Sequence, residues 1–333
     1  RYKFTIAENT PVEEEIARLR TEGGDPAQLA ALLRAWGVWR ALEQDTDGGR
    51  DALVEAAALY HELEDPLAEA GVLHDLGQLE AELDQLETAL ETYARALALA
   101  EQADNVDARS VIMHDRAQVL AELDRVEEAY ETYRQAAEIC GAEGQDGSRY
   151  AMYQAWAELA LEEGDLKQAT DLWKQALALA EQYEDTVRKA ESLRALAALQ
   201  VERDAYPKAR ELYEEALELA RGNNDTEEEI GILLELGDVH LELKAWSPAA
   251  QAFEEARVRA EENDEPAGVA HAWLELGNLS REQDELEAAR NRFDHAVAGF
   301  RAVEDPEGLA VSLHRLGSVT AEIGETPEAK ELL

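Results

Sequence analysis

The chain has 333 residues and sets 74 Asp and Glu against 31 Lys and Arg, a formal net charge of −43. Nucleic acids and anionic membranes are gripped by Lys and Arg meeting phosphates, so this charge excludes both as partners. Hydrophobic residues are 46 %, mostly Ala and Leu, with only 8 Pro, the composition of an all-α protein.

No apolar run approaches the roughly 20 residues of a membrane-spanning helix, and no secretory signal pattern is present. The single cysteine, Cys140, cannot close an internal disulfide. It falls in a column of small residues (Ala100, Ala180, Ala220, Ala260) and reads as one of them, so the expected setting is cytoplasmic. The acidic surface has three readings at this level: attraction of basic partners, solubility of a long Ala-rich chain, or adaptation to high salt, in whose favour only seven basic residues are Lys.

Residues 1–10 read as an extended arm, with Tyr2, Phe4 and Ile6 alternating with polar residues. Helix signals begin at Thr10-Pro11-Val12-Glu13: a Thr N-cap, Pro at the first helical position, and Glu three residues after the cap. Residues 11–29 are therefore a capping helix, the second helix of a leading half-repeat, and its connector. Full repeats of 40 residues follow at 30–69, 70–109, 110–149, 150–189, 190–229, 230–269 and 270–309, with an incomplete one at 310–333. Each reads as a first helix of about 14 residues and a longer second one.

The first full repeat is atypical. Trp36 and Trp39 enlarge its first helix, and Asp45-Thr46-Asp47-Gly48-Gly49 reads as a loop in place of a tight turn. The stretch Gly141–Gly147 reads as the softest connection, where bending would concentrate. A solenoid that stops inside a helix at Leu333 exposes an apolar face, from which either further sequence or end-to-end self-association is expected.

Columns 40 residues apart carry the fold. One holds Gly37, Gly77, Ala117, Ala157, Ala197, Gly237, Gly277 and Gly317. Others hold Ala89 through Ala329, Ala56 through Ala296, and the rings Tyr93, Tyr133, Trp173, Tyr213, Phe253 and Phe293. With Leu233-x-x-Leu236-Gly237, Gly164-Asp165 and Ala209-x-x-x-Tyr213-x-x-Ala216, the chain resembles the tetratricopeptide repeat. Its period is similar to that of spindle-orientation scaffolds, kinesin light chains and bacterial Rap or MalT-like regulators. The resemblance spans about residues 11–333. It implies a right-handed superhelical solenoid whose concave wall is built from the first helices.

If that wall carries over, its rows are His74, His114, Gln154, Arg194, Leu234, Leu274 and His314, then Gln78, Gln118, Glu158, Ala198, Asp238, Asn278 and Ser318. The third row is all acid: Glu82, Glu122, Glu162, Glu202, Glu242, Glu282 and Glu322. Read bottom-up, a solvated, copied Glu costs little at an exposed site, whereas a stripe of them can grip Lys or Arg of a partner. Glu162, Glu202 and Glu242 with Arg194 would form its centre, and Leu161, Val201, Leu234, Leu241 and Leu274 could supply apolar anchors.

His74 and His114 share a row, but repeats spaced at about 10 Å keep two imidazoles apart unless side chains converge, so no metal is expected. His61, His240, His271 and His295 read as surface or packing residues, and Trp156, Trp173, Trp246 and Trp273 as core. No phosphate loop, nucleophile elbow or Cys–His arrangement occurs, so neither catalysis nor a cofactor is expected. The expected function is a non-catalytic scaffold holding a basic or amphipathic segment of a partner protein. The alternatives are a self-assembling solenoid or the sensor part of a longer regulator.

Overall fold

A computed structural model describes residues 12–324. The readings placed on Tyr2, Phe4, Ile6, Thr10, Pro11, Ala329 and Leu333 lie outside the described residues. Among those described, the chain is entirely helical, in two compact units divided after Asp165.

The first unit holds α1 (Val12–Glu22), α2 (Pro26–Leu42), α3 (Thr46–Glu62), α4 (Pro66–Glu82), α5 (Leu86–Gln102), α6 (Val106–Glu122), α7 (Val126–Ala142) and α8 (Asp146–Glu162). The second holds α9 (Leu166–Gln182), α10 (Thr186–Val201), α11 (Tyr206–Asn223), α12 (Thr226–Glu242), α13 (Trp246–Glu262), α14 (Pro266–Glu282), α15 (Leu286–Ala302) and α16 (Pro306–Ile323). Each repeat is thus a helix of about five turns, a three-residue turn, and an antiparallel helix of the same length. First and second helices are equally long, most of them 17 residues, and each first helix starts four residues ahead of the repeat limits read from the sequence. In both units even-numbered helices also touch one another: α2 with α4, α4 with α6, α6 with α8, and α12 with α14, α14 with α16. The first helices therefore form a wall within each unit, α2 to α8 in the first and α12 to α16 in the second.

One turn is used throughout. From Gln44 to Gly324 every twentieth residue has positive φ, among them Asp84 (58°), Gly144 (70°), Lys244 (56°) and Asp284 (61°). The N–H of that residue returns to the carbonyl three back, and the next N–H to the carbonyl five back: Asp84 to Ala81 (2.9 Å) and Gln85 to Glu80 (2.9 Å). This is the Schellman closure, which satisfies orphan carbonyls at a helix end. The second residue of the pair is already the N-cap of the next helix. At most junctions where a second helix hands over to a first, an Asp or Asn caps it: Asp65 accepts from Ala68 N, Asn105 from Ala108 N, Asp185 from Arg188 N and Asp225 from Glu228 N, whereas Gln145 and Glu265 hold the position without a side-chain cap. Each such cap contributes about 1 kcal/mol.

Two segments read as loops follow this rule instead. Asp45 caps α3 by accepting from Gly48 N at 3.1 Å, so Thr46–Gly49 is helix. Gly49 lies against the backbone of Gly37, where a Cβ would meet the Gly37 carbonyl at 2.8 Å. Likewise α7 runs through Gly141 and α8 takes in Gly147, leaving only Glu143, Gly144 and Gln145 between them.

The seam of each unit is built by the repeat columns. Ala89, Ala129, Ala209 and Ala289 are fully buried, as are Tyr93, Tyr133, Phe253 and Phe293 to within 2 %. Burying each ring contributes on the order of 2–3 kcal/mol. Rings and glycines interlock: a Cβ added at Gly77 would stand 2.5 Å from the Tyr93 ring, and one at Gly277 2.5 Å from the Phe293 ring. Trp173 joins this seam. Trp156, Trp246 and Trp273 are half-buried, the last two packed against the core. Trp156 rests on Tyr130 (centroids 6.0 Å), and Trp273 lies between His295 (4.8 Å) and the Arg257 guanidinium (5.0 Å). Cys140 is fully buried, and burial pushes its thiol up.

Candidate functional site: the first-helix walls

In the first unit, Arg34 and His74, 40 residues apart in one column, turn sideways to the next first helix. Arg34 of α2 clasps Asp75 of α4 through Nε (2.5 Å) and Nη2 (3.0 Å). Its guanidinium lies flat over Gly71, where a Cβ would come within 2.8 Å of Nη1. One helix on, His74 Nε2 donates to Asp115 Oδ2 at 2.7 Å, and Gln78 Nε2 donates to the same oxygen at 2.8 Å. His114 Nδ1 donates to Asp115 Oδ1 at 3.0 Å. An ionised carboxylate only accepts, so both rings place an N–H on it.

The two imidazoles do converge, then, but on a carboxylate. Burial opposes ionisation of Asp115, yet hydrogen bonds from His114 and His74 outweigh it and hold the carboxyl well below the usual range. Among the described residues no group of three His, Cys, Asp or Glu has metal-holding geometry.

The second unit repeats the clasp. Arg194 of α10 meets Glu235 of α12 through Nε (2.9 Å) and Nη2 (2.7 Å), meets Glu228 through Nη1 (2.5 Å), and lies over Gly231. Beside it Asp238 keeps an open edge but is hemmed in. Its partial burial, then the charges of Glu275, Glu235 and Glu242, raise its carboxyl far above the ordinary range. Asn278 Nδ2 donates to Glu275 at 3.0 Å and ties that acid in place.

The rows read from the sequence held His74, His114 and Arg194 but not the acids that meet them, Asp115, Glu228 and Glu235. The signal was there: a cation and an acid 41 residues apart in Arg34–Asp75, His74–Asp115, Arg194–Glu235 and Arg281–Glu322. Arg194 is thus bound within the wall, and Leu274, counted among the anchors, is a core residue. Leu234 and Leu241 are half-buried against the core, as is Val201, while Leu161 is 41 % exposed. Gln154 donates to Glu158 (3.1 Å), and Gln78, Gln118 and Glu158 are exposed.

Each of Glu82, Glu122, Glu162, Glu242 and Glu282 is the last residue of its first helix, Glu202 follows α10, and all are exposed. Only Glu322 is tied down, by Arg281 Nη2 at 2.8 Å. Each unit presents its own share of the row: Glu82, Glu122 and Glu162 in the first, the remainder in the second. Among the described residues, no helix is long and apolar enough to cross a membrane.

A family model described as tetratricopeptide repeat matches residues 68–142 and 148–222. No curated protein matches. Solved structures match in fold. The apo quorum sensor NprR from B. thuringiensis superposes with a TM-score of 0.63 at 14 % identity, over 96 % of this chain and 90 % of that one. A signal transduction ATPase from Pyrococcus horikoshii with a tetratricopeptide repeat sensor gives 0.61 at 15 %, over 97 % of this chain and 49 % of that one. BtubC from P. vanneervenii gives 0.54 at 24 %, over 62 % and 85 %. At such identities the likeness shows fold alone. Tetratricopeptide repeats serve in general as non-catalytic scaffolds for protein or peptide partners. The helix pairs, the Gly–ring seam and the family match together make this chain a tetratricopeptide-repeat protein, an all-α repeat solenoid.

Proposed function

We propose that the chain is an interaction scaffold that holds a basic or amphipathic segment of a partner protein against its first-helix walls. The observation that carries this is the glutamate row. Six carboxylates stand exposed at the same end of successive first helices, while the cations nearby are already spent on acids within the wall. A single exposed pair is worth about 0–1 kcal/mol, so retention needs several at once and falls with salt. The partner's Lys and Arg would bridge successive repeats.

The test is affinity capture from the source lysate at low and high salt, comparing wild type with two variants. One carries Glu82, Glu122 and Glu162→Gln, the other Glu202, Glu242 and Glu282→Gln. A basic partner held by wild type and lost in salt and in at least one variant is the expected result. Unchanged capture by both variants rules the reading out.

A further inference from the structure

The first unit has an opening that the glutamate row does not include. Between the first turns of α4 and α6 lies a pocket of about 460 Å³, whose apolar lining includes Leu67, Gly71, Val111 and Ile112. Leu67 is 40 % and Val111 49 % exposed, although each sits on a wall where neighbouring repeats place polar or minimal side chains. The adjacent repeats hold Ala27 and Asp107, and Gly71 and Ala151, in the columns of these two residues; farther along stand Glu227, Glu307, Glu191 and His271, with Val187 and Val311 as the apolar exceptions. Gly71 deepens the opening, because a side chain there would fill the space beside Arg34. Asp65 and Asp107 also line it, as do Arg34 and His74, which are hydrogen-bonded to Asp75 and Asp115 on the next first helices. Acidic side chains thus stand beside an apolar lining.

We infer that this pocket takes one large apolar side chain of the partner segment, flanked on either side by Lys or Arg. The inference rests on the scaffold reading above and names the chemistry of one contact in it. The apolar group leaves water against Leu67, Val111 and Ile112, and the flanking cations meet Asp65 and Asp107. Charge alone would make any basic segment equivalent; the pocket makes the partner's apolar residue decisive.

The test is fluorescence anisotropy of the full chain with two labelled synthetic peptides. One has a single Phe flanked on each side by two Lys; the other has Ser in place of Phe. The variants are Val111→Glu, Leu67→Asp and the Glu82, Glu122, Glu162→Gln triple. Glu and Asp occupy those two columns in other repeats (Glu191, Asp107), so the helices accept them, and thermal melts by circular dichroism verify folding.

We expect the Phe peptide to bind wild type about tenfold more tightly than the Ser peptide, the gain of partly burying one ring. Val111→Glu and Leu67→Asp should abolish that difference and leave the Ser peptide unweakened. Val111→Glu adds negative charge, so a purely electrostatic site would bind both peptides more tightly in it. That outcome, or equal binding of the two peptides to wild type, overturns the pocket. If the triple variant then weakens both, the scaffold reading survives alone. Binding of neither peptide removes both.

Discussion

Asp115 and Asp238 show how one residue type on one kind of wall acquires opposite character from its neighbours. Asp115 receives N–H groups from two histidines and Gln78, and its carboxyl is held low. Asp238 faces Glu235, Glu242 and Glu275, and its carboxyl is raised. The linkage signs differ accordingly. A lowered native pKa gives stability that is present above the unfolded value of about 3.9 and lost as pH falls below it. Asp115→Asn should therefore be less stable than wild type at neutral pH and lose less on acidification. A raised native pKa favours the fold as pH drops toward the carboxylate range and costs stability toward neutrality. Asp238→Asn should gain stability at neutral pH, and urea midpoints from pH 7 to pH 3 measure both variants. The sequence placed His74, His114 and Asp238 on the wall but not the charges that surround them. The charge on His74 comes from Asp115, 41 residues on, and part of that on Asp238 from Glu275, 37 residues on, spacings that become contacts only once first helices pack side by side.

At the scale of the element, a helix and its successor are joined by one three-residue turn that recurs with a period of 20, half the sequence repeat. Its signature was nearly invisible in sequence, because the positive-φ position is held by Asp, Glu, Gln, Asn, Lys and Gly in different turns. Only Gly takes that conformation without cost, and other residues give up about 1–2 kcal/mol to it. They persist because the two returning N–H bonds and the next N-cap fix the backbone from both sides. Lys244 is exposed at such a position with φ of 56°. Lys244→Gly should raise the unfolding free energy by about 1 kcal/mol, read from guanidinium chloride midpoints. A loss of stability there would show that the turn is unstrained. The same rule explains why Asp45–Gly49 and Gly141–Gly147 read as loops from their glycines, although Thr46–Gly49 is helix and only Glu143, Gly144 and Gln145 separate α7 from α8. Glycines inside a helix signal close approach or a tolerated gap as readily as a break, and only the packing of Gly49 on Gly37 distinguishes these.

For the whole molecule the governing quantity is the net charge of −43. Repulsion among so many carboxylates opposes the folded chain and is screened as the Debye length shrinks from about 30 Å at 0.01 M salt to about 8 Å at 0.15 M. The melting temperature should therefore rise over that range of sodium chloride, in calorimetric scans at neutral pH. A flat or falling profile would mean that the internal clasps, weakened by the same salt, matter more than the surplus charge. The sequence by itself determined the repeat, the all-α class and the buried Ala, Gly and ring columns, because those rest on short-range periodicity copied along the chain. Only the tertiary structure decided which wall residues are spent and which are offered. Arg34, His74 and Arg194 look free in any window of sequence and are consumed by acids on the next helix. Leu67 and Val111 are apolar in mostly polar or small columns, but only the fold leaves them open beside Gly71. The reason is physical: a side chain's availability depends on what the neighbouring helix places within about 3 Å of it, and repeats that share a backbone do not share that neighbour.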